Sequence, residues 1–193
     1  MILVDDVVPG SPYVAQDGAL GIRLMRDEQA DYDLLALWLS DPRVLEFYEG
    51  RDNPHDLDRV REKYSPRVQA EENIVPCIIE LERQPIGYVQ YYPLPPESLA
   101  EYRIDLAESA YGIDLFIGAP ELWGRGHGTR VLHALTDYLL ERVGASIVTI
   151  DPYVSNLRAI RSYEKAGFGR VRVLPSHWLH EGTMQDSWLM VRR

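Results

Sequence analysis

The chain has 193 residues, 46% of them hydrophobic and 26% charged, which is typical of one globular domain and excludes a disordered or membrane-embedded protein. Its net charge of −10 argues against nucleic acid and anionic membranes as partners, because both attract basic surfaces. A small polycation is a more suitable ligand for a chain of this charge. The segment Met1 to Val4 is apolar but has no basic flank, so we expect neither a signal peptide nor an anchor. The single cysteine, Cys77, is expected to be buried, and a lone cysteine is typical of a cytoplasmic protein.

The first half of the chain predicts a strand, two helices and a β-hairpin. The predicted elements are a strand at Gly21 to Met25, an amphipathic helix from Asp27 or Asp31 to Asp41, a polar helix at Leu57 to Tyr64, and a hairpin that joins Val75 to Leu81 with Ile86 to Tyr92. Pro66 is expected to end the second helix. The Pro- and Glu-rich segment Pro93 to Ser109 is predicted to be a long loop.

The second half alternates strands and helices. It predicts a strand at Tyr111 to Ile117, a glycine turn and a long helix, then a strand at Ile147 to Ile150, a helix at Asn156 to Ala166, and strands at Gly169 to Leu174 and Ser187 to Val191. This order, after a hairpin, predicts an α/β (α+β) architecture with a mixed sheet and helices on both faces.

The glycine turn is Trp123-Gly124-Arg125-Gly126-His127-Gly128-Thr129. Glycines let consecutive N–H groups point the same way, and the first turn of the following helix adds free donors, so a pyrophosphate could dock there. The spacing is not G-x-G-x-x-G, and no Lys-Ser or Lys-Thr pair follows, which disfavours nicotinamide and ATP. The alternative is a turn that only joins strand to helix.

A second motif, Asn156-Leu157-Arg158-Ala159 through Tyr163 to Gly167-Phe168, follows about thirty residues later. With the glycine turn it resembles the GNAT superfamily of acyl-CoA-dependent N-acetyltransferases. That resemblance implies a mostly antiparallel sheet of about six to seven strands with a V-shaped splay between its two central strands. It also implies acetyl-CoA, whose pyrophosphate is held by backbone amides. The chain departs from the family pattern at Trp123, where Gln or Arg is usual.

Four further stretches make the chain similar to the aminoglycoside 6'-N-acetyltransferases: Val44 to Tyr48, Pro85 to Tyr88, Tyr111 to Gly118 and His180 to Gly182. The resemblance covers Gly21 to Arg193. Residues 1–20 and 93–109 carry no motif of the family. We therefore expect one domain over 1–193, with residues 1–20 as an extension. The implied substrate is an aminoglycoside. The sequence does not distinguish a monomer from a homodimer.

Two residues are predicted to be catalytic. Asp114 interrupts an apolar strand, where a carboxylate is costly unless it faces a polar cavity or a cation. The resemblance implies that it binds the reacting amine and accepts its proton. The alternative is a structural hydrogen bond. The resemblance gives Tyr163 the role of general acid toward the coenzyme sulfur, the alternative being an aromatic residue of the core.

The remaining predicted site residues contact either coenzyme or substrate. The coenzyme set is Leu115, Phe116, Ile117, Trp123, Gly124, Arg125, Gly126, His127, Gly128, Thr129, Asn156, Arg158, Ala159 and Tyr163. The substrate set, which supplies carboxylates and an aromatic surface to a polycation, is Tyr48, Glu72, Asp114, Asp151, Glu181 and Asp186. We expect no metal, because His177 and His180 follow Pro175, where no helix is predicted.

Two alternatives to an aminoglycoside acetyltransferase stay open from the sequence. The first is acetylation of another amine, such as the N6-hydroxylysine of siderophore assembly, since enzymes of that kind carry a strand similar to Gly112 to Gly118. The second is a coenzyme A-binding sensor module that keeps the fold without turnover, because a fold does not determine a function.

Overall fold

The structure, a computed structural model, describes residues 11–193. Within this range an eight-stranded sheet forms the middle layer. Its strands are β1 (Ala15–Asp17), β2 (Leu20–Leu24), β3 (Val75–Leu81), β4 (Gln84–Pro93), β5 (Ala110–Ile117), β6 (Ile147–Ile150), β7 (Gly169–His180) and β8 (Thr183–Arg192). The helices are α1 (Gln29–Trp38), α2 (Pro42–Leu45), α3 (Leu57–Val68), α4 (Pro96–Tyr102), α5 (His127–Tyr138) and α6 (Leu157–Lys165). A 3₁₀ turn (Pro120–Leu122) precedes α5, and a π-helical turn (Leu139–Val143) follows it.

The sheet has the order β1-β2-β3-β4-β5-β6-β8-β7. All neighbouring strands are antiparallel except β5 and β6, which run parallel because α5 connects them in a crossover. The mixed, mostly antiparallel sheet confirms the predicted fold class. The expectation of six to seven strands was one too low, because β1 lies in the segment before Gly21 for which the sequence offered no motif.

Four predicted bounds were wrong, one of them the start of the last strand, which is Thr183 and not Ser187. The segment Pro93 to Ser109 is not all loop, since it contains α4, which buries Leu99 and Tyr102 in a small core. Helix α3 passes through Pro66 and ends at Val68, one turn later than predicted, and buries Val60 and Tyr64. Packing of these side chains outweighs the hydrogen bond that proline cannot donate. Strand β7 extends to His180. The predicted lack of signal peptide at Met1 to Val4 lies outside the described residues.

Side chains on each central strand alternate between two cores. On β3, Cys77 and Ile79 pack with α5 on one face, while Ile78 packs with α1 and α3 on the other. Burial raises the pKa of the Cys77 thiol, as expected of a small apolar core residue. Helices therefore cover both faces of the sheet, and this three-layer arrangement leaves the sheet interior inaccessible except where strands separate.

The strands separate between β5 and β6. Their pairing ends at Gly112 and Thr149, whereas β5 stays paired with β4 as far as Ile117. The edge of β5 from 113 to 117 that faces β6 is therefore without a partner strand, which agrees with the predicted splay. Backbone groups exposed in this way are available to a ligand in extended conformation.

Candidate active site

A cleft of about 820 Å³ lies at the splay between β5 and β6. Its walls come from the end of β5, the glycine turn, α6, the residues after β6, and α2 and α3 from the first half of the chain. Most of the predicted site residues line it: Tyr48, Asp114, Leu115, Phe116, Ile117, Trp123, Gly124, Gly126, His127, Gly128, Thr129, Asp151, Asn156, Arg158, Ala159 and Tyr163. Among the described residues, four predicted ones do not: Glu72, Arg125, Glu181 and Asp186.

The glycine turn forms an open cradle at one end of the cleft. Gly124 and Gly126 have φ values of +74° and +84°, and a Cβ on either would meet nothing within 4 Å. The glycines are thus needed for their backbone conformation and not for space inside the protein. Gly126 is the N-cap of α5, whose first amides point outward. This cradle fits a pyrophosphate, since it offers several N–H donors and the positive end of a helix dipole.

Trp123 connects the cradle to both sides of the cleft. Its Nε1 donates to the Ile117 carbonyl at 2.7 Å, and the Arg158 guanidinium lies 3.9 Å from the ring centroid. The indole therefore fixes the end of β5 and forms a cation–π contact with α6. Since the cradle offers backbone amides, Trp123 in the place of Gln or Arg removes none of its donors.

Asp114 projects from β5 on the sheet face of Phe116 and Tyr88. It accepts a hydrogen bond at 2.7 Å from the side chain of Gln90, the residue opposite it on β4. Burial, together with the nearby negative charge of Asp151, raises the pKa of Asp114 to about 6. A carboxylate with this pKa is ionised at neutral pH and close to the range in which a general base works well.

Two polar groups orient the Gln90 amide that donates to Asp114. The Gln90 oxygen accepts from Arg67 Nη1 and from the Tyr88 hydroxyl, both at 2.8 Å. Because that oxygen is occupied by two donors, the amide nitrogen must be the atom that faces Asp114. The sequence analysis missed Gln90 and Arg67, since they become neighbours of Asp114 only through the register of β4 with β5 and the position of α3.

Asp151 presents a second carboxylate to the cleft. Its Oδ2 accepts from Trp178 Nε1 at 2.8 Å, from the Tyr102 hydroxyl at 3.2 Å and from His177 Nε2 at 2.8 Å. Its side chain is 14% exposed. The three partners come from α4 and β7, which are far from Asp151 in sequence. No motif marks them, and the sequence analysis missed their contribution.

Tyr163 extends from α6 into the cleft beside these carboxylates. Burial and then the negative charges of Asp114 and Asp151 raise its pKa, so its hydroxyl is protonated at neutral pH. A protonated phenol can donate a hydrogen bond or a proton to a developing anion. Its ring also packs near Phe168, at 6.5 Å between centroids, so the residue has a structural contact as well.

The predicted substrate residues outside the cleft lining have other partners. Arg51 binds Glu181 through two side-chain contacts at 2.6 and 2.7 Å and holds the pKa of that carboxyl at about 2. Glu72 pairs with Arg67 at 3.1 Å. Asp186 accepts from the Ser176 N–H at 2.8 Å and so stabilises an irregularity in β7. Within the cleft, Tyr48 packs against Phe116 with 4.7 Å between ring centroids.

Several cleft residues were not predicted as site residues. These are the acidic Glu49, the basic Lys63, Arg161 and Lys165, and the half-apolar rim of Trp178 and Leu179. Glu49 forms an ion pair with Lys63. Arg161 and Lys165 are on α6, so they add positive charge on the side of the cleft that also carries the cradle.

The described residues contain no group of three or more His, Cys, Asp or Glu side chains arranged to hold a metal ion. His177 and His180 contact different groups, since His177 lies between Asp151 and Glu101 whereas His180 lies 3.3 Å from the Tyr153 hydroxyl. In the same part of the chain, no helix is long and apolar enough to cross a membrane.

Comparisons with known proteins agree with this geometry. Residues 27–175 match the family model described as an acetyltransferase (GNAT) domain, and the chain belongs to the GNAT family of acetyltransferases. More particularly, it is similar to aminoglycoside N(6')-acetyltransferase type 1 of Klebsiella pneumoniae, which is 35% identical over 149 residues that cover 77% of this chain and 73% of that protein. The resemblances drawn from the sequence motifs are thereby confirmed.

Two further matches bear on cofactor and substrate. The structure of AAC(6')-Ib in complex with ribostamycin and coenzyme A has a TM-score of 0.72 and 30% identity, covering 90% of this chain and 93% of that one. An N5-hydroxyornithine acetylase of Beauveria bassiana is 26% identical over 147 residues, which cover 75% of this chain but 26% of that protein.

Proposed function

We propose that the protein transfers the acetyl group of acetyl-CoA to the 6'-amino group of aminoglycosides in a ternary complex. The observation that carries this proposal is the juxtaposition of Asp114 and Asp151 in one cleft with a glycine cradle suited to a pyrophosphate. Similarity to enzymes named as aminoglycoside N(6')-acetyltransferases supports the substrate class, and similarity to a coenzyme A complex supports the acetyl donor.

Different parts of the cleft have different roles in this proposal. The cradle at Gly124 to Gly128 and the free edge of β5 at 115–117 would hold the pyrophosphate and pantetheine of acetyl-CoA, which supplies an activated thioester. Asp151 binds an ammonium group of the substrate. Asp114 accepts a proton from the reacting amine, directly or through water, and Tyr163 donates one to the departing thiolate. Holding amine and thioester together contributes a large part of the rate.

The predicted roles of Glu72, Glu181 and Asp186 in substrate binding gain no support from the cleft lining. Because Arg51 and Arg67 already neutralise Glu181 and Glu72, these carboxylates would bind an ammonium only by exchanging their present partner. Arg125 likewise is exposed outside the lining, so its proposed contact with coenzyme A would require its flexible side chain to turn inward.

Release of free thiol from acetyl-CoA tests the activity. Neomycin and paromomycin form a matched pair, since they differ in carrying an amino or a hydroxyl group at position 6'. Turnover with neomycin and none with paromomycin is expected. Equal rates with both would place the acetylated amine elsewhere on the ring system, and no turnover with either would contradict the proposal.

A second candidate is acetylation of a hydroxylated amine, which the similarity to the N5-hydroxyornithine acetylase favours. N6-hydroxylysine and N5-hydroxyornithine carry a carboxylate, and the two acidic side chains of the cleft would repel it. Turnover with these amino acids and none with neomycin would favour this candidate. Binding of coenzyme A without turnover of any amine would indicate a sensor module.

We also propose that the chain acts as one domain in the cytoplasm, as a monomer or homodimer, without nucleic acid or membrane partners. The single buried thiol and the net charge of −10 support this proposal. Light scattering after size-exclusion chromatography separates the two assembly states.

A further inference from the structure

We propose that His177 is a positioning residue for substrate recognition, which holds the Asp151 carboxylate so that one of its oxygens faces the ammonium group of the substrate. The inference rests on the proposed function, because it concerns the same cleft. It assigns a role to a side chain that does not itself line the cleft.

An irregularity of β7 places the imidazole. Leu174 pairs with Ser187 and Trp178 with Gln185, so three residues of β7 lie opposite the single residue Asp186 of β8. Ser176 in this bulge has a φ of +49°. The bulge ends the regular alternation of β7 and re-aims the side chains that follow, a frequent use of bulges next to active sites.

Both ring nitrogens of His177 face carboxylates. Nε2 lies 2.8 Å from Asp151 Oδ2, and Nδ1 lies 2.9 Å from Glu101 Oε1 on α4. A neutral imidazole has one N–H, so it can donate only one of these two hydrogen bonds. The imidazolium can donate both. The arrangement therefore selects the charged form of the ring.

The electrostatic surroundings of His177 also favour the charged ring. Burial, the largest influence, favours the neutral ring, but the hydrogen bonds and charges of Asp151 and Glu101 outweigh it and raise the pKa of His177. The imidazole side chain is 5% exposed. The titratable groups that face it are Asp151, Glu101 and the hydroxyl of Tyr102, which lies 3.5 Å from Nε2.

The contacts of Asp151 explain what the imidazolium does. All three donors, from His177, Trp178 and Tyr102, converge on Oδ2, whereas Oδ1 accepts no hydrogen bond from any described residue. One oxygen is thus fixed to the protein and the other is free for a ligand in the cleft. Loss of the charged donor would leave a largely buried carboxylate without a cation and held by only two neutral donors, Trp178 and Tyr102.

The steady-state test compares wild type with His177→Gln and uses neomycin as the amine. At pH 6 the variant is expected to raise KM for neomycin by about tenfold while kcat changes by less than about twofold. Since the pKa of His177 is raised, the wild-type ring is charged below that pKa and neutral above it. The ratio of the two KM values must therefore fall toward one as pH rises, and titration of neomycin itself cancels in this ratio.

His133→Gln is the matched control. His133 also pairs with a carboxylate, Asp137, at 2.9 Å, but it lies on the exposed side of α5 and does not line the cleft. This variant is expected to keep the wild-type KM at every pH. A KM ratio for His177→Gln that is independent of pH, or a loss confined to kcat, would overturn the proposal.

An NMR titration of the five histidines gives an independent readout on the free protein. The proposal requires a His177 ring that carries both protons at pH 7 and whose pKa falls in Asp151→Asn. A neutral ring at that pH overturns it. If neomycin is not acetylated, the proposed function fails, but this titration still shows whether the His177 ring beside Asp151 is charged. If neomycin is acetylated and the ring is neutral, only the role of His177 fails.

Discussion

Replacing Asp114 with Asn is expected to destroy most of the activity and to stabilise the fold at neutral pH. The reason is that the site keeps a carboxylate ionised where burial opposes ionisation. Asn has nearly the same shape, and its oxygen can accept the hydrogen bond from Gln90 that Asp114 accepts now at 2.7 Å. Because the charge is removed and the contact is kept, the variant isolates the cost of the charge.

The magnitude follows from the raised pKa. The pKa of Asp114 is about 6 in the folded protein, against an ordinary value of 3.8. Each unit is equivalent to about 1.4 kcal/mol, so the ionised carboxylate destabilises the fold by at most about 3 kcal/mol at pH 8 and by about 1.6 kcal/mol at pH 5. Since the pKa is raised, this cost is absent below pH 3.8 and grows as pH rises through 6. The side chain keeps some solvent contact, which makes the measured gain smaller.

Urea denaturation of wild type and Asp114→Asn at pH 5, 6, 7 and 8 measures this effect. The free energy of unfolding of the variant should exceed that of wild type by an amount that increases with pH and levels off above 7. The same preparation should bind acetyl-CoA normally and turn over neomycin about 10²-fold more slowly. A difference in unfolding free energy that is constant from pH 5 to pH 8 would refute the reasoning, as would undiminished turnover.

Three further outcomes are expected. The value of kcat/KM for neomycin should increase as pH rises through about 6, because Asp114 must lose its proton to act as a base. A kcat/KM that is constant from pH 5 to pH 7 would contradict this prediction. Gly126→Ala should raise the Kd for acetyl-CoA, measured by calorimetry, by at least about fivefold, because a φ of +84° is strained for any side chain. The control is Gly144→Ala, at φ +79° but outside the cleft, which should lower the stability of the fold and leave this Kd unchanged. Tyr163→Phe should lower kcat by about three- to tenfold with little change in KM, because water can also protonate the thiolate; an unchanged kcat would leave Tyr163 as a packing residue.

Local signals in the sequence predicted the glycine turn and the start of α6 well. A glycine that needs positive φ, a helix N-terminus and an Asn cap each act within a few residues of themselves. Asn156 accepts from the Ala159 N–H at 3.1 Å, as a cap should, and Gly126 begins α5. Such features depend on chain spacing alone, so a motif can contain them.

The substrate side could not be predicted in the same way. Asp151 was identified by its motif, but its partners lie 26 to 49 positions away on β7 and α4. Glu181 and Glu72 have the right chemistry for a polycation, yet Arg51, 130 positions away in the sequence, pairs with Glu181, and Arg67, only five positions away, pairs with Glu72. Charge in a sequence does not reveal whether the folded chain has already neutralised it, and this caused the difference between prediction and structure.

The position of Gln90 shows how strand register sets the surroundings of Asp114, the proposed base. A hairpin shifted by one residue would turn the whole β4 strand over and bring Val89 or Tyr91 opposite Asp114. An apolar neighbour would leave that carboxylate with no donor and push its pKa still higher, so that it would be protonated at neutral pH and useless as a base. The turn at Glu82 and Arg83, both with positive φ, fixes the register of β4 with β3 and therefore the sheet face that Gln90 occupies. The surroundings of Asp114 therefore depend in part on backbone geometry outside the cleft lining.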